Sequence, residues 1–447
     1  MSTIRTRYRL RRSARLVEHG GNAVLTAPRS LLDCRHLSPA QLDLIRRLAT
    51  SEVPGDDPAE VAVIQPLDRA LWLTTSVYEQ DTPLFRSDPV TSASEFRRVA
   101  ERDGSGVVAG AATTFSRFVT VTPSAEGFVV ESPLSTHRVV ITDARAWSAL
   151  FALAAGTDAA ADGVTRVLSA ELARLGLLQP AGGPETTELG RRQWSRCDLL
   201  LHTRSRRGRH ENPSGGTLWA RGSFEPPPAV PSPLPGAEIP LRVPAAPPDA
   251  PLFEVLDTRV SVRRHGTRPI TVDQLGEFLY RCARVETRVD GDGRTRPWRP
   301  YPSGGGTYEL ELYVNASDVD GLERGLYRYA GDRHALETVS RDAALVRRLA
   351  ADAQLSASST GEPAPQVVIL LAARFGRVMW KYESIGYAVV LKDVGVLFST
   401  MYQVATALGL APCALGTGNS DLFSLARGVP YHEETTVGEF LLGSRPD

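Results

Sequence analysis

The sequence has 447 residues, with 42% hydrophobic and 23% charged side chains, which is an ordinary composition for a globular protein. Its length predicts roughly two to four domains, each large enough to bury its own core. Because 51 basic and 51 acidic residues cancel to a net charge of +0, no general electrostatic attraction to nucleic acid or to a membrane is expected.

The N-terminus and the cysteines exclude further classes of protein. The opening residues contain no apolar core run, and no stretch of about 18 uninterrupted apolar residues follows. The four cysteines lie far apart, without a CxxC motif or a Cys/His cluster. We therefore expect a cytoplasmic protein with no membrane span, no metal site and no disulfide framework.

The N-terminal half alternates short strands with capped helices. Ser38 can cap a helix that has Pro39 at its first position and Gln41 to complete a capping box. Two alternating strands are predicted at 128–133 and 139–142.

Two helices follow these strands, one capped by Asp143 and a second that ends at Gly176. The order strand, helix, helix, strand resembles a winged-helix unit, and residues 6–50 look like a degraded second copy. Winged helices often bind DNA through a basic second helix, but here Arg166 and Arg174 are offset by acidic neighbours. We therefore favour a peptide-binding or structural role over DNA binding.

Two segments of unusual composition come next. The densest basic run, 202–210, is either a solvated loop or a site for an anionic ligand or an acidic peptide. Segment 226–251 holds 11 of the 32 prolines, so it cannot continue a helix or a central strand. It predicts an extended, semi-rigid strap that separates the two halves of the chain.

The C-terminal half begins with an arginine motif. Arg259, Ser261 and Arg263 alternate, so in an extended segment they point to one side, where two guanidinium groups and a hydroxyl suit a phosphate. The motif alone is weak, because arginine is abundant throughout the chain. A helix capped at Thr271 is predicted to follow.

Three consecutive glycines precede a predicted strand. The sequence RPYPSGGGTY, at 299–308, leads directly into an alternating strand at 310–315. Glycines at this place let the backbone approach a flat ligand closely. The alternative is an ordinary flexible turn.

Lysine is rare in this chain. Lys381 and Lys392 are the two lysines among 51 basic residues, which leaves 49 arginines. Unlike arginine, lysine can take and give a proton when its surroundings tune it. Lys381 is followed by Tyr382, a second group able to act as an acid or a base. The pair is a candidate catalytic site; the alternative is that Lys381 is a solvated charge at a helix end.

Residues 384–408 predict one long, largely apolar helix, suited to a buried core or to a subunit interface. We interpret Lys392 within it as structural, a partner for Asp393 or Glu383. A Gly-x-Gly turn and a final strand at 439–443 complete the chain.

These motifs together resemble a known family. The R-x-S-x-R segment, PSGGG before a strand, the long core helix and the turn of Gly416 and Gly418 are similar to the flavin nitroreductase superfamily. More narrowly, RPYPSGGGTYELELYV, GLYRYAGDRHALE and the Lys-Tyr pair resemble the SagB-type azoline dehydrogenases of thiazole- and oxazole-containing peptide biosynthesis. The resemblance covers 250–447 closely and 197–209 more loosely.

The resemblance implies an α+β fold in three regions. Residues 252–447 would form a nitroreductase-like FMN domain, with a mixed sheet and surrounding helices. Residues 1–195 would form a winged-helix-like region of one or two units that binds the leader of a precursor peptide. Residues 196–251 would be a basic segment and a Pro-rich linker.

The resemblance also implies roles for individual residues. Lys381 and Tyr382 match the family's catalytic pair, and either could be the base. His265 stands where relatives often have an aromatic residue. The residues that match FMN contacts are Arg259, Ser261, Arg263, Pro302, Ser303, Gly304, Gly305, Gly416, Gly418 and, as a further phosphate partner, Arg445.

The implied reaction is the FMN-dependent oxidation of a thiazoline or oxazoline ring to a thiazole or oxazole. The ring loses a hydride to the flavin and a proton to a protein base. The implied partners are a precursor peptide, a second copy of the chain and a cyclodehydratase complex, without nucleic acid or membrane. Two other classes stay open: an NAD(P)H-dependent nitro or flavin reductase, and a non-catalytic peptide-binding scaffold.

Overall fold

The computed structural model describes residues 3–446 except 20, 21, 29, 92–112, 157–161, 247, 248, 290, 292 and 294. The chain divides into two compact units, Met1–Ser214 and Gly215–Asp447.

The first unit combines short strands and helices in the described part of the chain. Its strands are β1 (Ile4–Leu10), β2 (Arg15–His19), β3 (Asn22–Ala27), β4 (Ser30–Asp33), β5 (Val53–Pro54), β6 (Leu73–Glu79), β7 (Thr82–Pro89), β8 (Thr113–Phe115), β9 (Thr120–Ser124), β10 (Gly127–Glu131), β11 (His137–Ile141) and β12 (Leu178–Pro180). Its helices are α1 (Pro39–Thr50), α2 (Pro58–Arg69), α3 (Ala144–Ala154), α4 (Gly163–Arg174), α5 (Pro184–Thr187), α6 (Leu189–Arg192) and α7 (Arg196–Arg204).

The main sheet of this unit has the strand order β5-β1-β6-β7-β11-β10-β9. Strands of both predicted winged-helix copies therefore share one sheet, which β7 and β11 join by antiparallel pairing. Two apolar clusters fill the unit, one including side chains of α1 and α2 and the other including side chains of α3 and α4. The winged-helix assignment stays a prediction.

The helix starts predicted here are confirmed. The Ser38 hydroxyl accepts a hydrogen bond from the Gln41 backbone N–H at 3.3 Å, and the Gln41 side chain accepts one from the Ser38 N–H at 2.9 Å. The Asp143 carboxylate accepts one from the Arg145 N–H at 2.8 Å. Each cap satisfies N–H groups that the first turn of a helix leaves without partners.

The second unit holds the predicted site. Its strands, over the described residues, are β13 (Glu238–Pro240), β14 (Glu286–Val289), β15 (Thr295–Trp298), β16 (Leu310–Ala316), β17 (Gly325–Ala330), β18 (Ala335–Ser340), β19 (Val367–Arg374), β20 (Leu410–Leu415) and β21 (Glu434–Ser444). Its helices are α8 (Leu252–Thr258), α9 (Val272–Ala283), α10 (Ala343–Ser356), α11 (Phe375–Met379), α12 (Gly386–Ala407) and α13 (Ser420–Arg427).

The central sheet of the second unit has the order β13-β18-β17-β16-β19-β21-β20. Each of its described strand pairings is antiparallel, so the expectation of a mixed sheet was wrong. The reason lies in the connections. Turns join β16, β17 and β18 in sequence, and α10 then carries the chain to β19 beside β16 rather than beside β18. A parallel pair would need a crossover between neighbouring strands.

Helices α9 and α12 cover one face of this sheet. Their apolar side chains, among them Phe278, Leu397 and Met401, share one buried cluster with the sheet. The predicted cap at Thr271 is confirmed, because its hydroxyl accepts a hydrogen bond from the Gln274 N–H at 3.2 Å. Helices α10 and α13 contribute to a second buried cluster on the sheet.

Helix α12 is the long apolar helix predicted at 384–408. It is the one described helix that is long and apolar enough to cross a membrane by these two criteria. Its inner side, which includes Val390 and Val394, is part of the core on the sheet. A helix with one side packed in the protein interior therefore meets both the length criterion and the apolarity criterion.

The proline-rich segment runs along the edge of the sheet. Its strand β13 pairs with β18 through Glu238, Ile239 and Pro240. Proline has no N–H to donate to a ladder, which confines it to edge strands.

Candidate functional site

The arginine motif lies extended against β20. The Val262 N–H donates a hydrogen bond to the Pro412 carbonyl at 2.8 Å. Arg259, Ser261 and Arg263 are exposed on either side of this anchor. The alternation expected from the sequence thus has a backbone partner that holds it in place.

Tyr402 of α12 is a residue that the sequence analysis missed. Its hydroxyl lies 2.8 Å from the Ser261 hydroxyl and accepts a hydrogen bond from the Ala414 N–H at 2.8 Å. The Arg259 guanidinium carbon stands 5.2 Å from the centre of its ring. One tyrosine therefore links the helix, the strand and the arginine motif. A hydroxyl on a largely apolar helix was the available signal.

Three guanidinium groups border β20. Arg264 forms an ion pair with Glu362 at 2.9 Å, whereas Arg259, Arg263 and Arg445 have no carboxylate partner among the described residues. The Arg445 Nε donates to the Leu410 carbonyl at 3.2 Å. Uncompensated, exposed arginines gathered at one strand can hold an anion such as a phosphate.

The glycine loop is tied to α12 by a carboxylate. After Pro302, Asp393 accepts hydrogen bonds from the Ser303 hydroxyl at 2.8 Å and from the Gly304 N–H at 2.9 and 3.1 Å. The Ser303 hydroxyl also accepts one from the Tyr308 N–H at 3.0 Å. These hydrogen bonds hold the loop to α12, which disfavours the alternative of a flexible turn.

The Lys-Tyr pair lies directly against this loop. The Lys381 Nζ donates to the Gly305 carbonyl at 3.3 Å and stands 5.1 Å from the centre of the Tyr382 ring. A Cβ added to Gly305 would lie 2.1 Å from the Tyr382 hydroxyl and 2.7 Å from the Lys381 Nζ. Lys381 is therefore engaged at the loop, which disfavours the reading of a simple solvated charge.

The segment after Ser214 supports the pair from the other side. The Leu218 N–H donates to the Lys381 carbonyl at 3.0 Å, and the Thr217 hydroxyl donates to the Glu383 carboxylate at 2.6 Å. Gly216 faces the side chains of Lys381 and Tyr382, since a Cβ there would lie 3.5 Å from each. No motif in the sequence connects this segment with the Lys-Tyr pair.

The structural role expected for Lys392 was wrong. Asp393 binds the glycine loop and Glu383 binds Thr217, while Lys392 is exposed. Successive helix residues point in different directions, so an inward Asp393 turns Lys392 outward.

The Gly-x-Gly turn follows β20. Gly416 has open space where a side chain would stand, whereas a Cβ on Gly418 would lie 2.0 Å from the buried carboxylate of Glu439. Burial raises the pKa of Glu439. Among the described residues no hydrogen bond joins this turn to the glycine loop.

His265 takes the place of the expected aromatic residue as an uncharged core group. The Gln366 N–H donates to its Nδ1 at 3.1 Å, and Gly443 leaves room for the ring. Burial lowers the pKa of His265 to about 4, which favours the neutral imidazole.

Two parts of the chain match models of known protein families. Residues 256–443 match the family model for the nitroreductase family, and residues 113–211 match the model for the cyanobactin oxidase ThcOx. A provisionally named nitroreductase of Methanocaldococcus jannaschii is 34% identical over 165 residues, which cover 37% of this chain and 78% of that protein. The chain belongs to the nitroreductase family.

Solved structures with lower identity were also found. A provisionally named nitroreductase of Ralstonia eutropha is 21% identical, with a TM-score of 0.38, and covers 50% of this chain and 96% of its own. A chain in the Escherichia coli microcin synthetase McbBCD complex with truncated pro-MccB17 is 17% identical, with a TM-score of 0.35, and covers 56% and 94%.

Nitroreductase family members are flavin-binding oxidoreductases, and the residues described here fit a flavin nucleotide. The arginines at β20 lack carboxylate partners among the described residues, which suits a phosphate. Gly306 has φ +65° and open space at its Cβ position, which suits a flat group approaching the backbone. Both features are fixed to α12, through Tyr402 and through Asp393.

The two neighbouring glycines allow a matched test of how closely the Lys-Tyr pair is packed. Gly305 and Gly306 have nearly the same positive φ, 64° and 65°, so alanine at either position should cost about 1–2 kcal/mol of unfolding free energy. We expect Gly305→Ala to cost roughly 1 kcal/mol more, because its methyl group would collide with Tyr382. Urea unfolding of both variants measures the difference, and equal losses would contradict this packing.

Proposed function

We propose that this protein oxidises thiazoline or oxazoline rings to thiazoles or oxazoles in a ribosomally made peptide, with FMN as its cofactor. The observation that carries the proposal is the position of Lys381 and Tyr382 against the glycine loop. The match of residues 113–211 to the cyanobactin oxidase model supports a peptide substrate.

The chain offers two sets of groups for the cofactor. Arg259, Ser261, Arg263 and Arg445 would hold the phosphate and ribityl end. The loop at 302–305 would lie against the ring system, with Gly416 and Gly418 on its other side. When bound, FMN supplies the hydride acceptor that protein side chains cannot provide.

The chain's own contribution to the chemistry is the proton step. Tyr382 takes the proton from the azoline ring carbon, assisted by the positive charge of Lys381. Gly305 lets the Tyr382 hydroxyl approach the loop closely, and the Gly305 carbonyl orients the Lys381 ammonium. A base held within hydrogen-bond reach of its proton typically contributes ~10²–10⁴-fold in rate.

The N-terminal region, 1–195, would capture the leader of the peptide rather than DNA. In α4, Arg174 is paired with Glu171 at 2.7 Å and with Asp68 at 3.6 Å. A guanidinium already paired with carboxylates is a poor partner for nucleic-acid phosphates. A cyclodehydratase complex in the cytoplasm would supply the azoline peptide.

The second candidate is an NAD(P)H-dependent nitro or flavin reductase. The identity with the Methanocaldococcus protein favours it. A reductase needs nicotinamide as its hydride donor, whereas an azoline dehydrogenase takes its hydride from the peptide. With dissolved oxygen present to reoxidise the reduced flavin, the two candidates are therefore separated by turnover in the absence of nicotinamide.

The function is tested with a leader-bearing azoline peptide and no nicotinamide. We expect yellow protein that releases FMN on denaturation and removes two hydrogens per ring, as read by mass spectrometry. A leaderless peptide should be processed poorly. Colourless protein that fails to take up FMN, or turnover that requires nicotinamide, would overturn the proposal.

A matched pair of arginine variants tests the phosphate site. Arg263→Glu should weaken FMN binding by about 10–100-fold, because it replaces a charge-assisted hydrogen bond by repulsion. Arg264→Glu is the control, since the neighbouring Arg264 is already paired with Glu362. Fluorescence quenching of FMN measures both affinities, and equal effects would argue against a phosphate at Arg263.

The proton step is tested with Tyr382→Phe and Lys381→Arg. Tyr382→Phe should lower the rate of single-turnover flavin bleaching by ~10²–10⁴-fold while FMN occupancy stays unchanged.

Lys381→Arg keeps the positive charge but cannot release a proton in the working pH range. Partial activity would mean that Lys381 acts as a fixed charge, whereas full loss would mean that it cycles a proton or that the broader guanidinium displaces the Tyr382 hydroxyl. Tyr431→Phe, at an exposed tyrosine, is the control. Wild-type rates in both test variants would contradict the assignment of the proton step to Lys381 and Tyr382.

We also propose a homodimer that covers the outer side of α12 and the adjacent α8. Phe253 is 78% exposed, Leu256 45% and Leu391 41%, which is unusual for large apolar side chains. Light scattering should give about twice the 48.4 kDa of one chain. Leu391→Arg should shift the mass towards the monomer, while Leu425→Arg, at an exposed site on α13, should not. A wild-type monomer that binds FMN would rule this interface out.

A further inference from the structure

The glycine loop rests on a carboxylate from the middle of an apolar helix. Asp393 is 5% exposed and is surrounded on α12 by aliphatic residues such as Val389 and Val394. Its hydrogen bonds from Ser303 and Gly304 are the polar contacts that compensate its burial. A buried charge without such partners would be strongly unfavourable.

A second carboxylate lies beneath the same loop. Glu309 is 0% exposed, and its Oε2 accepts hydrogen bonds from the Thr307 hydroxyl at 2.9 Å and from the Ser303 hydroxyl at 3.3 Å. Its Oε1 is buried and has no hydrogen-bond partner. The Ser303 hydroxyl, which has one hydrogen to donate, thus lies within hydrogen-bond distance of both Glu309 and Asp393 and brings the two carboxyl groups close to each other.

The buried arginines nearby are committed to a different carboxylate. Arg299 pairs with Glu311 at 3.2 Å, and the Arg374 guanidinium lies 3.6 Å from the same group. The Arg377 guanidinium donates to the Thr307 carbonyl at 2.7 and 3.1 Å and forms no ion pair with a carboxylate of the described residues. Neither Glu309 nor Asp393 therefore has an arginine as an ion-pair partner among the described residues. The charges of these arginines and the Tyr301 hydroxyl lie farther away around them.

We propose that Asp393 and Glu309 are positioning residues of the glycine loop and that they share one proton. Two neighbouring carboxylates in a dry site cannot both ionise at low cost, so one of them stays protonated. The neutral Glu309 then stabilises the ionised Asp393, whose two oxygens fix Ser303 and Gly304. The next residue, Gly305, presents its carbonyl to Lys381, so the pair acts on the catalytic side chains through the loop.

The direction in which the pKa of Glu309 is shifted agrees with a shared proton. Burial, and next the negative charge of Asp393, raise the pKa of Glu309 to about 7. An unfolded glutamate has a pKa near ~4.3, so the folded state holds an additional proton between these two values. The stability from this proton is fully present below about pH 4 and is lost as the pH rises towards about 7.

The first arm of the test measures stability against pH and needs no flavin. Glu309→Gln mimics the protonated acid and cannot titrate. We expect wild type and Glu309→Gln to melt at similar temperatures at pH 5, and wild type to melt roughly 5 °C or more below the variant at pH 8. Asp421→Asn, at an exposed aspartate in the first turn of α13, should follow the wild-type curve. Parallel curves for wild type and Glu309→Gln would overturn the shared proton.

The second arm measures flavin affinity and rests on the proposed function. Asp393→Asn places an amide donor against the Ser303 and Gly304 donors, so FMN binding should weaken by about 10–100-fold. Glu309→Gln keeps a neutral group beside Asp393, so it should weaken FMN binding less than Asp393→Asn does. In the double variant the loss should differ from the sum of the single losses, since contacting residues are non-additive. Unchanged affinity in Asp393→Asn, or strict additivity, would overturn the positioning role.

The two arms separate this proposal from the proposed function. If the wild-type protein bound no FMN at any pH, the proposed FMN-dependent function would be excluded. The melting curves would still decide whether the two carboxyl groups share a proton. A protein that oxidises azolines with parallel melting curves and unchanged FMN affinity in Asp393→Asn would keep the function and remove this inference.

Discussion

The burial of α12 on the central sheet is the constraint on which the site depends. This helix sends two polar groups inward, Asp393 to the glycine loop and Tyr402 to the arginine motif. Its packing against the sheet therefore sets the positions of both halves of the candidate flavin site at once. Because a packed core shifts little, groups anchored on such a helix are held more firmly than groups that depend on surface loops.

The packing of Lys381 against the glycine loop gives a physical reason for lysine at this position in a chain dominated by arginine. The Lys381 Nζ would lie 2.7 Å from a Cβ on Gly305, in a space that the Tyr382 hydroxyl also approaches. A planar guanidinium fork is broader than an ammonium group and would not fit there without displacing one of them. The limited space beside Gly305 and Tyr382 thus gives a steric reason for a lysine at position 381.

Local signals in the sequence predicted local structure well. The caps at Ser38, Asp143 and Thr271 depend on groups two or three residues away, so a short pattern contains all the information needed. The same reasoning could not find Asp393 or Tyr402, whose loop partners are 90 and 141 residues distant in the chain. The mixed sheet was wrong for the same reason, since strand order depends on long-range pairing that motifs do not encode.

The high arginine content shows one property that the sequence alone could not predict, namely which arginines are free to bind an anion. With 49 arginines, the motif of Arg259 and Arg263 could not be separated by sequence from its neighbour Arg264. In the fold the neighbour turns to Glu362, while the motif is held at β20 by the Val262 backbone and faces Tyr402. What distinguishes the candidate binding arginines from Arg264 is that they have no carboxylate partner among the described residues, and that property belongs to the folded chain.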